Sequence, residues 1–169
     1  AVTVTKTAIT GGYECSYKPT TALKDGSHTI SVTASDNDGN AASAKTATFT
    51  VDTVPPTLTI TAPEEGLVTN KTTITVTGKT DDATSKPVTV TVNGAAATVG
   101  TDGSFSKDVT LTNGANKITI IAKDKAGKTT TITRNVTLDT AAPVIKSITL
   151  TPNPVDCGKT FVIAVEITG

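Results

Sequence analysis

Along this chain apolar and polar residues alternate in short runs. Thr57-Leu58-Thr59-Ile60-Thr61 and Val88-Thr89-Val90-Thr91-Val92 switch at every residue. Ile118-Thr119-Ile120 does the same, and Phe161 to Ile167 follows if Val162 and Ala164 face outward. A period of two with threonine on the polar side marks antiparallel strands buried on one face. No segment sustains apolar spacings of three and four, so no helix longer than a turn is expected. Between the runs stand Asp25-Gly26, Asn93-Gly94, Asp102-Gly103 and Asn113-Gly114. Such pairs accept positive φ and close hairpins. Composition strengthens the reading: 39 of the 169 residues are threonine, and valine and isoleucine supply most large apolar side chains. Side chains branched at Cβ lose little in a pleated strand and are penalised in a helix. The predicted class is all-β, built from antiparallel β-sandwiches.

The alternation is itself repeated. The stretch Leu23 to Gly39 reappears as Leu111 to Gly127, 88 residues later, and the match runs back through Tyr17 and Phe105 to Val2 and Val90. One residue is lost in the next hairpin, so Val51-Asp52-Thr53-Val54-Pro55-Pro56 meets Leu138-Asp139-Thr140-Ala141-Ala142-Pro143 at an offset of 87. A third copy starts there, with Pro63 to Ile74 and Val76 matching Pro152 to Ile163 and Val165 at an offset of 89. In the first two copies a leucine ends one strand, a glycine turns the chain, and Ile-x-Val/Ile-x-Ala points three side chains inward. Asp-x-x-Gly then turns into the last strand. Asp-Thr-x-x-Pro follows as a linker, because proline has no amide hydrogen and cannot extend a central strand.

The string Leu-x-x-Gly-x-His/Asn-x-Ile-x-Val/Ile-x-Ala-x-Asp-x-x-Gly, followed by a strand and Asp-Thr-x-x-Pro, resembles the bacterial Ig-like repeats of secreted and cell-surface proteins. Such modules are similar to those of adhesins, S-layer-associated proteins and the non-catalytic parts of exported polysaccharide-degrading enzymes. The resemblance covers the whole chain. It implies tandem Ig-like sandwiches with a structural role at the bacterial surface or outside the cell, and in some members calcium at domain junctions.

The repeat register sets the expected domains. Residues 54–140 are a complete copy, with strands over 57–62, 71–78, 87–93, 95–99, 104–111, 116–123 and 128–138. Residues 1–53 lack the first two strands, and residues 141–169 hold only those two. One complete Ig-like copy is thus flanked by two complementary partial copies, each of which would leave an apolar sheet face open. Two readings follow. Residues 141–169 of one molecule could supply two strands to residues 1–53 of the next, a head-to-tail self-association by strand swapping. Alternatively, the chain is a stretch of a longer array with neighbouring Ig-like repeats beyond it.

Charge and chemistry narrow the function. Fifteen Lys and Arg balance fifteen Asp and Glu, which removes the electrostatic footprint of a nucleic-acid binder. No apolar run approaches the length of a membrane span, and no export signal is recognisable, so any such signal was removed or lies outside these residues. With one histidine and scattered carboxylates, no enzyme is expected. His28 follows Asp25-Gly26-Ser27, but three neighbours on one turn cannot converge as a hydrolytic triad. Asp36-Asn37-Asp38-Gly39-Asn40 opens like an EF-hand loop, yet Ala47 stands where a glutamate is required, so it reads as a hairpin. A better calcium case is geometric: the loops facing a preceding module would bring Asp52, and Asp25 with it, near Asp81, Asp82 and Asp124. Against it, these aspartates also suit turns, and Lys123 and Lys125 flank Asp124. No other cofactor is expected. Cys15 and Cys157 are read as free thiols, since a composite sandwich would hold them at opposite strand ends. The tripeptides at Asn70 and Asn135 fit the glycosylation pattern by chance, and Tyr17 and Phe105 are expected in cores. The leading reading is a non-catalytic spacer or stalk of an exported bacterial protein. The alternatives are a carbohydrate- or protein-binding adhesion module and an accessory region of a polysaccharide-active enzyme.

Overall fold

In the computed structural model, residues 2, 4–151, 153 and 157–168 are described. They form no helix and fourteen strands. These are β1 (Thr5–Ile9), β2 (Gly12–Ser16), β3 (Gly26–Val32), β4 (Lys45–Val51), β5 (Thr57–Ala62), β6 (Leu67–Thr69) and β7 (Thr73–Asp81). β8 (Thr89–Val92), β9 (Ala95–Val99), β10 (Ser104–Thr110), β11 (Gly114–Lys123), β12 (Thr129–Leu138), β13 (Val144–Thr151) and β14 (Val162–Thr168) complete the chain. The all-β class read from the period of two is the observed one.

Strands β5 to β12 make one sheet in the order β5-β7-β10-β9-β8-β11-β12-β6. It curls on itself at the β8–β9 hairpin, where Asn93 and Gly94 both take positive φ, at 48° and 81°. That pair matches the right-handed twist of the flanking strands. The two halves of the sheet enclose the apolar side of each alternating run. Val88, Val90 and Val92, then Ile118, Ile120 and Ala122, then Val136 and Leu138, are buried against Leu58, Val76, Phe105 and Leu111. Each large side chain so removed from water contributes roughly 1.5–3 kcal/mol.

Two features of this unit escaped the alternation. β7 runs on to Asp81 rather than ending at Gly78, because Thr80, though polar, is buried and donates its hydroxyl to the Thr57 carbonyl at 2.7 Å. The second is β6. After β5 the chain crosses to the opposite half-sheet and pairs parallel with β12, Leu67 opposite Val136 and Thr69 opposite Leu138. Three residues are too few to show a period. Glu65 fixes the crossing: its two carboxylate oxygens accept from the backbone N–H of Asn135 at 3.0 Å and from its side-chain amide at 2.6 Å. The Gly66 amide donates to the Asn135 carbonyl at 2.9 Å, and the Arg134 guanidinium to the Pro63 carbonyl at 3.2 Å.

The flanking residues form three separate antiparallel hairpins, β1–β2, β3–β4 and β13–β14. The repeat shows in register as well as in sequence: Gly26 faces Val51 in β3–β4 as Gly114 faces Leu138 in β11–β12. Burial differs. Val32 is 61% exposed where its counterpart Ile120 is 0%, because β3–β4 has no facing half-sheet. Tyr17, expected in a core beside its counterpart Phe105, is 50% exposed against 4% for the same reason.

Candidate metal centre

Three aspartates from well-separated parts of the chain meet where β4 leads into the eight-stranded unit. Asp52 follows β4, Asp82 follows β7 and Asp124 follows β11. Local hydrogen bonding explains each position. Asp124 opens the Asp-x-x-Gly turn: its Oδ1 accepts from the Lys128 amide at 2.8 Å, and its own amide donates to the Lys128 carbonyl at 3.1 Å. The Oδ1 of Asp82 accepts from the Thr84 amide at 2.8 Å and the Ser85 amide at 2.6 Å. The Oδ1 of Asp52 accepts from the Val54 amide at 3.2 Å and bends the linker. The loops are also tied together. The Lys125 amide donates to the Ser85 carbonyl at 3.2 Å, and the Thr130 hydroxyl donates to the carbonyl of buried Pro56.

With the loops so held, one oxygen from each of Asp52, Asp82 and Asp124 lies within 4.8 Å of the others. Asp82 and Asp124 are only 6% and 5% exposed. The Oδ2 atoms of Asp52 and Asp124 are sealed from solvent without a hydrogen-bond donor. Among the described residues the ion pair is Lys86 with Asp81, at 2.8 Å, so no lysine ammonium neutralises the cluster. Two unit charges at 4.8 Å, the outer limit of these oxygen separations, repel by about 3.5 kcal/mol at an effective dielectric constant of about 20. The arrangement offers acceptors to a hard cation and little else.

Of the aspartates expected here, the structure brings together Asp52, Asp82 and Asp124 and leaves out Asp81 and Asp25. Asp81 faces outward to Lys86, whose hydrogen bond holds its carboxyl below the usual range. The signal for this was present: counting inward positions from Val76 through Gly78 and Thr80 reaches Asp82 and skips Asp81. Asp25 instead clamps the linker, accepting from the Thr53 amide at 3.0 Å and hydroxyl at 2.9 Å. Lys123 and Lys125, which flank Asp124, make no ion pair with it.

The remaining candidates have local duties. His28 donates through Nε2 to the Lys24 carbonyl, 2.7 Å away, and stacks on Phe49 with ring centroids 5.5 Å apart. Asp36 closes its hairpin on Asn40, whose side-chain and backbone hydrogen bonds lower its pKa. Cys15 and Cys157 are exposed free thiols. A hollow of about 600 Å³ is a shallow dish lined by Thr61, Thr77, Gly78, Thr98 and Ser104, with the ring of Phe105 beneath. Phe105 is buried, so it gives a sugar no aromatic surface to stack on.

Comparison with known proteins agrees with this architecture. Residues 56–140 match the family described as glucodextranase, domain B, and residues 1–53 match a bacterial Ig-like domain. Bacillopeptidase F of Bacillus subtilis (strain 168) is 39% identical over 126 residues. That match takes in 75% of this chain but 9% of the peptidase, so the chain corresponds to a small part of that relative. Among solved structures, the chain is similar to fibronectin(III)-like modules of Clostridium thermocellum CbhA, with 20% identity and a TM-score of 0.41 over 69% of this chain and 64% of that one. It is also similar to a tetra-tandem repeat from the extending region of a large adhesion protein, with 23% identity and a TM-score of 0.43 over 87% and 46%.

Proposed function

The chain belongs to the glucodextranase domain B family through residues 56–140, and from that premise we propose that it is a non-catalytic spacer segment of an exported bacterial protein. The observation that carries this reading is the repeat, reproduced both in sequence and in hairpin register across β3–β4 and β11–β12. Repeats that follow one another through short linkers, residues 52–56 and 139–143, suit separation of functional parts better than chemistry. The Ig-like match of residues 1–53 and the relation to part of bacillopeptidase F support a place beside other domains, outside the cell.

The test is replacement within the protein that carries these residues. An unrelated β-sandwich array of equal length should preserve that protein's activity, whereas deletion should impair it by shortening the reach. If the equal-length replacement fails while the protein remains folded and exported, these residues act by recognition and not by length. Affinity electrophoresis against soluble polysaccharides should show no retardation of the isolated chain.

A further inference from the structure

We propose that the β13–β14 hairpin of one copy of this chain packs its apolar face on the β3–β4 hairpin of a second copy, as β5–β7 packs on β11–β12 within the eight-stranded unit. Both flanking hairpins are two-faced. In β3–β4 the pairs Ser27–Thr50, Thr29–Thr48 and Ser31–Thr46 make one side, and Ile30, Val32 and Phe49 lie on the other. In β13–β14 the pairs Ile145–Ile167, Ile148–Val165 and Leu150–Ile163 share a side, while Ser147–Glu166 and Thr149–Ala164 fall on the reverse. All of these large apolar side chains are exposed. A folded monomer rarely leaves so contiguous an apolar surface bare, and such faces mark association sites.

The eight-stranded unit shows what covers a face of this kind. β3–β4 carries the register of β11–β12, so Ile30 and Val32 hold the places of Ile118 and Ile120. β13–β14 carries the register of β5–β7 down to an irregularity. The bulge between Ile60 and Ala62, opposite Gly78 and Thr77, recurs between Ile145 and Ser147, opposite Ile167 and Glu166. Val165 therefore stands where Val76 does. Val76 is fully buried in one core with Ile118 and Ile120, whereas Val165 is 46% exposed. β10 adds a second sign. It pairs with β7, Phe105 opposite Gly78, and its counterpart in the repeat is residues 16–22, which form no strand beyond Ser16. The strand that would order them is a β7 equivalent, which β14 of a second copy supplies, with Ile167 opposite Tyr17.

Geometry favours two molecules over one. The chain enters the eight-stranded unit beside Asp124, past the end of β11, and leaves it at Leu138, opposite Gly114 at the start of β11. The ten residues of β11 hold those points about 30 Å apart. Each five-residue linker spans about 17 Å at most, so the two faces of one molecule would have to double back along the unit to meet. Faces of different molecules meet without that. Donor and acceptor faces differ, so the contact is heterologous and every added copy leaves one of each open.

Sedimentation velocity from micromolar to near-millimolar concentration tests this. Monomers should give way to dimers and longer chains, and in a Tyr13→Phe background the fluorescence of Tyr17 should become less quenchable by acrylamide as they do. Val165→Asp and Val32→Asp alter residues exposed in the single chain, so each should keep the melting of β5–β12 and remain monomeric. Mixed in equal amounts, the two variants should form a dimer and stop there, because the first retains a sound β3–β4 face and the second a sound β13–β14 face. Thr149→Asp, on the reverse side, should associate as the unaltered chain does. The proposal fails if the unaltered chain is monomeric throughout, its faces then being left to some other partner or to none. It fails equally if either aspartate variant associates alone, the mark of a face pairing with itself or of indiscriminate adhesion, or if their mixture stays monomeric. The spacer role is judged separately, by length replacement, and stands under each of these outcomes.

Discussion

Replacing Gly78 with alanine adds a single carbon, and the structure gives it no room. Gly78 lies in β7, opposite Ile60 of β5 and Phe105 of β10. A Cβ there would be driven into the Thr59 carbonyl oxygen and would stand 2.7 Å from Phe105 Cζ. These obstacles differ in kind. The phenyl ring can shift by some tenths of an ångström, but the carbonyl belongs to the β5 backbone, so relief means moving β5 off β7. Overpacking of a filled core costs about 1–3 kcal/mol, and a backbone obstacle places this change at the upper end, about 3 kcal/mol. For a unit of this size each kilocalorie corresponds to roughly 4–8 °C, so Tm should fall by about 12–24 °C. Scanning calorimetry is the suitable assay, because both tyrosines, Tyr13 and Tyr17, lie outside β5–β12 and are blind to that unit. Trimming the ring with Phe105→Leu should not rescue the alanine variant. If Gly78→Ala costs less than about 1 kcal/mol, or if the leucine restores its Tm, then the backbone is not what glycine accommodates at this position and the reasoning is wrong.

Three further outcomes follow from the same structure. The Asn135 hydrogen bonds hold the Glu65 carboxyl below its ordinary value of 4.5. A depressed folded-state value means that its stabilisation is present above the unfolded-state value and is lost as pH falls through the folded one. Glu65→Gln should therefore lower Tm near neutrality and flatten the acid limb of a Tm–pH profile below about 4.5; an unchanged limb would count against the clamp. Ile118→Ala, at a fully buried position, should cost about 2–5 kcal/mol, read as a shift in the denaturant midpoint without a change in slope. Both exposed cysteines should react with a thiol reagent in the absence of denaturant, and fewer than two reactive thiols per chain would contradict their placement.

What the sequence disclosed depended on how many residues carried each signal. The valines of β8 and the isoleucines of β11 announced their buried faces because alternation persisted over several positions and recurred at a fixed offset. β6 was invisible because Leu67-Val68-Thr69 offers a single alternation, and its parallel pairing depends on Glu65 meeting Asn135, seventy residues away. The acidic junction was half legible. Loop placement pointed to Asp52, Asp82 and Asp124, but proximity in sequence drew in Asp81, which strand parity sends to solvent and to Lys86. The exposure of Tyr17 and Val32 is a matter of what stands opposite them, and no local pattern encodes that.

The crossing from β5 to β6 has a mechanical consequence. Because β6 runs parallel to β12, the first and last portions of the eight-stranded unit lie side by side and point the same way. Traction on the two ends would slide them lengthwise. The Val136–Leu67 to Leu138–Thr69 ladder and the Glu65 and Arg134 bonds would then bear load together instead of parting one at a time. A force-ramp measurement should accordingly find Glu65→Ala rupturing at visibly lower tension than the unaltered protein, even where the two melt within a few degrees of each other.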